Sequence, residues 1–194
     1  GIPGNRATLS RFAALSRSFD FFFSGYLNTI WREVEPERSF IVYSGGDDVF
    51  IVGSWDVALA LAERIHTDFT AFACGNPAFS LSGGVAIIPP KFPIMKGAEE
   101  SAEEEQNAKS HIVQWGNQKE EKNSISFMGM PLNWKLEYPA VKALKERMCQ
   151  LLDRNIMPKS FLSKLMAHYA NAEIRNHGHS CISPWQYNHV IQRS

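Results

Sequence analysis

The chain has 194 residues, of which 44% are hydrophobic and 21% are charged, a balance typical of a globular protein and not of a disordered one. Lysine plus arginine equals aspartate plus glutamate, 20 against 20, which argues against a protein whose main task is to neutralise a nucleic-acid backbone. Three scattered cysteines, Cys74, Cys149 and Cys181, suggest reduced thiols in a cytosolic protein. No run approaches the roughly 18 apolar residues of a membrane span, so we expect no membrane partner. The chain begins at Gly1 without a methionine, which suggests a piece of a longer protein.

The first predicted element is a long helix. From about Thr8 to Arg32, apolar residues recur every three or four positions, which predicts a helix with one wide buried face. That face comprises Leu9, Phe12, Leu15, Phe19, Phe22, Phe23, Tyr26, Leu27 and Ile30. Two short β-branched and aromatic runs follow, at Phe40–Tyr43 and Val49–Val52, on either side of a Gly-Gly-Asp-Asp centre. This pattern predicts an antiparallel hairpin.

A second helix is predicted to begin after Ser54, whose residue type is common at the N-cap. Its buried stripe is expected to comprise Val57, Leu61, Ile65, Phe69 and Phe72. The next apolar run, Phe79–Ile88, predicts a strand. Two glycines in that run, Gly83 and Gly84, indicate a bulge or a close approach of another backbone.

A third helix is predicted over Ile94–Trp115, before a polar loop at residues 116–122. Its acidic run, Glu99–Glu105, is expected to face solvent and not to bind a metal. The remaining predicted elements are a strand at Asn123–Met128 and two amphipathic helices at Tyr138–Asp153 and Lys159–Arg175.

The order of these elements predicts the fold class. The predicted order is helix, strand, strand, helix, strand, helix, strand and then helices. This order is that of an α+β protein. It corresponds to a β-α-β-β-α-β split unit that lacks its opening strand and carries one extra helix and strand. A change in character near Gly129–Trp134 predicts a first domain over residues 1–132 and a small helical domain over 133–194.

The predicted turn Gly45-Gly46-Asp47-Asp48 carries the main chemical hypothesis. Two adjacent aspartates between apolar runs repel each other unless a cation is bound, and carboxylate oxygens suit Mg²⁺ or Mn²⁺ that holds substrate phosphates. Glycine removes side-chain bulk and lets a triphosphate lie against the backbone. An ordinary type I′ hairpin turn also favours Gly and Asp, so the tetrapeptide alone leaves both interpretations open.

The wider pattern resembles the second palm domain of the large signature subunit of type III CRISPR effector complexes, the Cas-ten family in its Csm-type branch. The resemblance rests on Leu15-Ser16-Arg17, Phe22-Phe23, Tyr43–Gly53, Leu81–Val85, Phe92-Pro93-Ile94, Ala102-Glu103, Ala108-Lys109 and Lys122–Ile125. It is close over Leu9–Trp134 and looser over Tyr138–Arg193, which resembles that family's C-terminal helical domain. The implied fold is a ferredoxin-like palm, similar to that of nucleotide cyclases and polymerases, that lacks its first strand here.

The resemblance also implies a function. Members convert ATP to cyclic oligoadenylate second messengers by metal-dependent nucleotidyl transfer when the assembled complex binds target RNA. Asp47 and Asp48 would then be the catalytic ligands of Mg²⁺ or Mn²⁺. The implied nucleotide-binding residues are Ser16 near the adenine, Ser44, Gly45 and Gly46 at the turn, and Lys109 and Lys164 near phosphate. The implied partners, in the cytoplasm, are ATP, other protein subunits of the complex, and guide and target RNA through that complex.

Three of these assignments have structural alternatives. Ser16 can instead donate a hydrogen bond to a carbonyl of its own helix. Lys109 lies in the C-terminal half of its helix, where a positive charge is favourable in any case. Lys164 can simply be a solvated residue on a helix face. The family's palm also begins with a strand that carries further acidic residues, and that strand would precede Gly1. We therefore expect this chain alone to bind nucleotide weakly and to turn over little of it.

Two other functions remain open at this point. The chain could be a non-catalytic palm scaffold that docks other subunits of a CRISPR ribonucleoprotein, or a diguanylate or other nucleotide cyclase of a different family. Separately, the spacing of His177, His179 and Cys181 matches no established zinc pattern, so a mobile loop is favoured over a structural zinc site.

Overall fold

The computed structural model describes residues 9–46, 48–116 and 118–176. The chain divides into two compact units, Gly1–Leu81 and Ser82–Ser194. The elements of the first unit are α1 (Leu9–Asp20), a π-helical turn (Phe21–Tyr26), α2 (Leu27–Val34), β1 (Ser39–Gly45), β2 (Asp48–Gly53) and α3 (Trp55–Phe72). Those of the second are β3 (Gly83–Val85), α4 (Ile94–Ser110), β4 (Ile112–Trp115), β5 (Gln118–Glu121), β6 (Ser124–Phe127), β7 (Met130–Asn133), α5 (Tyr138–Asp153) and α6 (Lys159–Asn176). The α+β class is confirmed.

The long first helix is confirmed, but only its second half is buried. Phe22, Leu27 and Ile30 are at most 1% exposed, whereas Leu9 and Phe12 are 87% and 60% exposed. The expectation of one buried face along the whole helix is therefore wrong for its first turns. Periodicity shows which side of a helix is apolar, but it cannot show how far along the helix the partner surface extends.

The predicted hairpin is confirmed, with β1 and β2 antiparallel. Phe40 pairs with Val52 and Ile41 with Ile51, and the register then shifts between Ile41 and Tyr43. This shift is a β-bulge, in which one extra residue of β1 has no opposite partner.

Helix α3 begins after Ser54, as predicted, and the Ser54 carbonyl accepts the first helical bond from the Ala58 amide at 2.9 Å. The predicted stripe is confirmed at Val57, Leu61, Ile65 and Phe69, which are at most 8% exposed. These side chains pack with the π-helical turn and α2 in one core. Phe72, predicted to be buried, is 39% exposed, because it occupies the last position of the helix.

In the second unit, β6 pairs in parallel with β3 and antiparallel with β7. The strand predicted at Asn123–Met128 and the two helices that follow are confirmed. The strand predicted over residues 79–88 is reduced to Gly83–Val85. Helix α4 lies directly against the backbone of Gly84, which confirms the predicted close approach.

Three strands of this unit, β4, β5 and β7, were missed, and the predicted end of the third helix is wrong. The third helix ends at Ser110 and not at Trp115, and β4 pairs antiparallel with β5 where a helix end and a polar loop were expected. Ile112 and Val113 are β-branched residues that favour strands. Strand β7 follows β6 through a two-residue turn at Met128 and Gly129, whose φ values of 57° and 75° are typical of a type I′ turn.

The expectation that the acidic run of α4 faces solvent is wrong at Glu104. Its Oε1 accepts the Gly129 amide at 2.6 Å, and its Oε2 accepts the hydroxyl of Ser126. Glu104 therefore ties α4 to the β6–β7 turn.

The domain boundary placed near residues 129–134 stays a prediction. Among the described residues, no helix has the length and apolar character that crossing a bilayer requires.

Candidate functional site

The candidate site is the turn between β1 and β2. Gly45 and Asp48 face each other at the end of the hairpin. Gly46 has a φ of 65°, in the left-handed region that favours glycine. A Cβ atom on Gly46 would meet no atom of the described residues within 4 Å, its own chain neighbours aside. Asp47 lies outside the described residues.

Asp48 is the first residue of β2, and its side chain is exposed. Within residues 9–46, 48–116 and 118–176, its carboxylate has no hydrogen bond or ion pair, and no cluster of three or more His, Cys, Asp and Glu side chains is suited to hold a metal. Mg²⁺ is commonly held by one or two carboxylates together with waters and substrate phosphates. The donor chemistry of this turn, an exposed carboxylate next in sequence to a second aspartate, fits such an ion.

Ser44 lies one residue before the turn and is half-buried. Its hydroxyl donates to the backbone carbonyl of Phe23 in the π-helical turn. The hydroxyl oxygen of Tyr43 lies 3.4 Å from the carbonyl oxygen of Gly45. The base of the turn is thus bonded to the helical core on one side and carries an aromatic ring on the other.

The other predicted site residues are distributed over both units. Ser16 is exposed on α1 of the first unit. The same unit contains Ser44, Gly45, Gly46 and Asp48. Lys109 and Lys164 belong to the second unit, on α4 and α6. Lys109 Nζ lies 2.7 Å from Glu105 Oε1, one helical turn away. The roles assigned to all these residues stay predictions.

Two features beside the turn were missed from the sequence, the π-helical turn and the bulge in β1. Neither disturbs the apolar pattern: the residues of the π-helical turn continue the helical spacing, and Phe40–Tyr43 are four consecutive apolar residues. The segment with His177, His179 and Cys181 lies outside the described residues.

Comparisons with known proteins were consistent with one another. A family profile described as "Cas10/Cmr2, second palm domain" matches residues 3–126. A relative from Methanocaldococcus jannaschii, "CRISPR system single-strand-specific deoxyribonuclease Cas10/Csm1 (subtype III-A)", is 37% identical over 147 residues, which is 69% of this chain and 18% of the relative. The chain spans about a fifth of the length of the curated relatives it matches first.

Two solved structures resemble the chain with a TM-score of 0.50 and 30% identity, over 60% of this chain and 17% of theirs. One is a Csm1-Csm4 subcomplex in the type III-A CRISPR-Csm interference complex, and the other is a Csm1-Csm4 cassette in complex with pppApA. The helices and small sheets described above fit a palm followed by a helical segment. The chain therefore belongs to the Cas10/Cmr2 family of type III CRISPR subunits, in which its residues 3–126 correspond to the second palm domain.

Proposed function

We propose that, in the intact protein, this palm joins ATP molecules into cyclic oligoadenylates by metal-dependent nucleotidyl transfer, when the assembled complex binds target RNA. The observation that carries the proposal is the exposed Asp48 carboxylate, with no protein partner among the described residues, at the end of a Gly-Gly-Asp-Asp hairpin in a family-matched palm. A solved relative of similar fold binds pppApA, a linear product of the kind that such a reaction would make from ATP.

Each residue of the turn has a proposed role. Asp47 and Asp48 would hold Mg²⁺ or Mn²⁺, and Gly45 and Gly46 would let the triphosphate approach the backbone. A bound divalent ion would neutralise phosphate charge and favour ionisation of the ribose hydroxyl, which would form a bond to the α-phosphate of another ATP as the bond to the leaving pyrophosphate breaks. The space beside Gly46 supports its role, because no atom of the described residues other than its chain neighbours lies within 4 Å of the position that a Cβ atom would take.

The residues outside the turn would bind the rest of the nucleotide. Ser16 would form a hydrogen bond near the adenine, and Lys109 and Lys164 would place positive charge at phosphate. The proposed partners are ATP, the other protein subunits of the complex, and guide and target RNA through that complex.

The proposal is tested on the assembled complex of the full-length protein, with ATP, Mg²⁺ and target RNA, by quantifying cyclic oligoadenylates. Asp48→Asn keeps the shape of the side chain and removes its charge, so we expect at least about 100-fold less product. Asp153→Asn, an exposed aspartate at the end of α5, is the control and should retain wild-type output. Equal product from the two variants would contradict the proposal.

A specific observation also supports the alternative, a non-catalytic scaffold. No residue of α5 is buried, and Val141 and Leu144, which share a face of the helix, are 40% and 60% exposed. An exposed apolar stripe of this kind is typical of a protein-binding surface. Leu144→Glu should impair assembly in this case, whereas Asp48→Asn should leave both assembly and every activity of the complex unchanged.

A further inference from the structure

We propose that Ser44 is a positioning residue: its hydroxyl, through the carbonyl of Phe23, holds the hairpin whose turn carries Asp47 and Asp48. This inference rests on the proposed function for its catalytic consequence. Its structural part, that one hydroxyl connects the turn to the helical core, can be tested whether or not the protein makes oligoadenylates.

The acceptor belongs to the π-helical turn Phe21–Tyr26. In a π turn the amide bonds reach back five residues and not four, so the regular ladder of the α-helix is interrupted. Two successive carbonyls of this turn accept hydrogen bonds from side chains. The Ser24 carbonyl accepts from Asn28 Nδ2 at 3.0 Å, and the Phe23 carbonyl accepts from the Ser44 hydroxyl. The widened turn thus presents a backbone acceptor to a residue of the hairpin.

The bulge in β1 is what brings the Ser44 side chain to this acceptor. Ile41 packs against the core, and strict alternation would place Ser44 on the opposite face of the strand. The extra residue, Val42, reverses the alternation, so that Tyr43 is 56% exposed and Ser44 lies on the side of the core. Its cross-strand partner Val49 also packs against that core. A bulge that redirects a side chain beside a functional site is a recurrent device.

The hydrogen bond from Ser44 is accepted by a residue whose side chain is buried in the core. The Phe23 side chain is 3% exposed and packs within the core of the first unit. Ser44 is followed directly by Gly45, which pairs with Asp48, so the hydroxyl lies on the residue next to the partner of one proposed metal ligand and three residues before the other, Asp47. Because the Ser44 proton is donated to the Phe23 carbonyl, the hydroxyl cannot also donate to a nucleotide while this bond is formed. Catalytic groups need such support to stay within a fraction of an ångström of their working geometry.

The test compares three variants of the full-length protein in its complex. Ser44→Ala removes the hydroxyl, and Ser44→Thr keeps it on a side chain that suits a strand. Ser18→Ala is the matched control, because the Ser18 hydroxyl also donates to a backbone carbonyl, that of Ala14 at 2.9 Å, but within exposed α1. The measurements are hydrogen–deuterium exchange of residues 45–49, kcat and KM for ATP, and ATP affinity in EDTA.

For Ser44→Ala we expect about tenfold faster exchange at the turn and about tenfold lower kcat, with KM and metal-free ATP affinity unchanged. Ser44→Thr and Ser18→Ala should behave like the wild type. Unchanged hydrogen–deuterium exchange at the turn of Ser44→Ala would overturn the inference. If, in addition, this variant bound ATP more weakly in EDTA, the result would indicate direct contact between Ser44 and the nucleotide. If the wild-type complex makes no product, the proposed function fails, and the exchange data still decide whether Ser44 positions the turn.

Discussion

Gly84 lies so close to Glu105 that a Cβ atom on the glycine would be 2.2 Å from the backbone nitrogen of the glutamate. The same atom would be 2.3 Å from the carbonyl oxygen of Ser101. Both contacts are with backbone atoms of α4, which cannot rotate away as a side chain can. The absence of a side chain at Gly84 is therefore what allows α4 to pack on β3.

We expect Gly84→Ala to lower the free energy of unfolding by about 1–3 kcal/mol, because the helix must move to admit the methyl group. Gly83→Ala is the matched control, since a Cβ atom on Gly83 would meet nothing within 4 Å. It should change stability by less than about 0.5 kcal/mol. Urea unfolding of the two variants checks this, and equal losses would contradict the close approach.

The Glu104 carboxylate should stabilise the β6–β7 turn. Glu104→Ala leaves the Gly129 amide and the buried Ser126 hydroxyl without their acceptor, so we expect a loss of about 1–3 kcal/mol. Glu103→Ala, on an exposed position of the same acidic run, should cost no more than about 0.5 kcal/mol. The comparison is again made by urea unfolding. Identical midpoints would mean that the whole run is solvated.

Gly46 should resist substitution for a conformational reason alone. Its φ of 65° costs an L-residue about 1–2 kcal/mol, although the surrounding space is open. Gly46→Ala should therefore destabilise the protein, while Gly25→Ala, in a helical turn with equally open space, should be neutral or stabilising by up to about 1 kcal/mol. Thermal unfolding distinguishes the two signs. A neutral Gly46→Ala would argue against the left-handed turn.

Lys109 should affect ATP binding more than folding. Its ion pair with Glu105 is exposed and contributes little stability, so Lys109→Met should leave the unfolding midpoint nearly unchanged. If Lys109 contacts phosphate, KM for ATP in the assembled complex should rise about tenfold. Lys119→Met is the control, because Lys119 forms a similar exposed pair with Glu121, at 2.6 Å. A KM equal to that of the control would remove Lys109 from the site.

Several elements could be predicted because local sequence determines them. The stripe at Val57, Leu61, Ile65 and Phe69 depends only on helical spacing along one helix, and it is confirmed. The hairpin around the Gly-Gly-Asp-Asp turn depends on two flanking strand-forming runs and on glycine at a left-handed position. The family could also be predicted from short segments of sequence, each local and in a fixed order, and it is confirmed by the family match over residues 3–126.

Tertiary structure decided the features in which residues distant in the chain meet. The Ser44 hydroxyl bonds a carbonyl 21 residues away, and the Glu104 carboxylate bonds an amide 25 residues away. Periodicity identified neither partner, because it reports which side of an element is apolar and not which polar atom lies opposite. The end of α4 at Ser110 was missed for a related reason, since β4 is stabilised by pairing with β5, and helical and strand patterns overlap in a short apolar run. Local preference thus set the turn and its carboxylates, while long-range hydrogen bonding and packing decided how the turn is held.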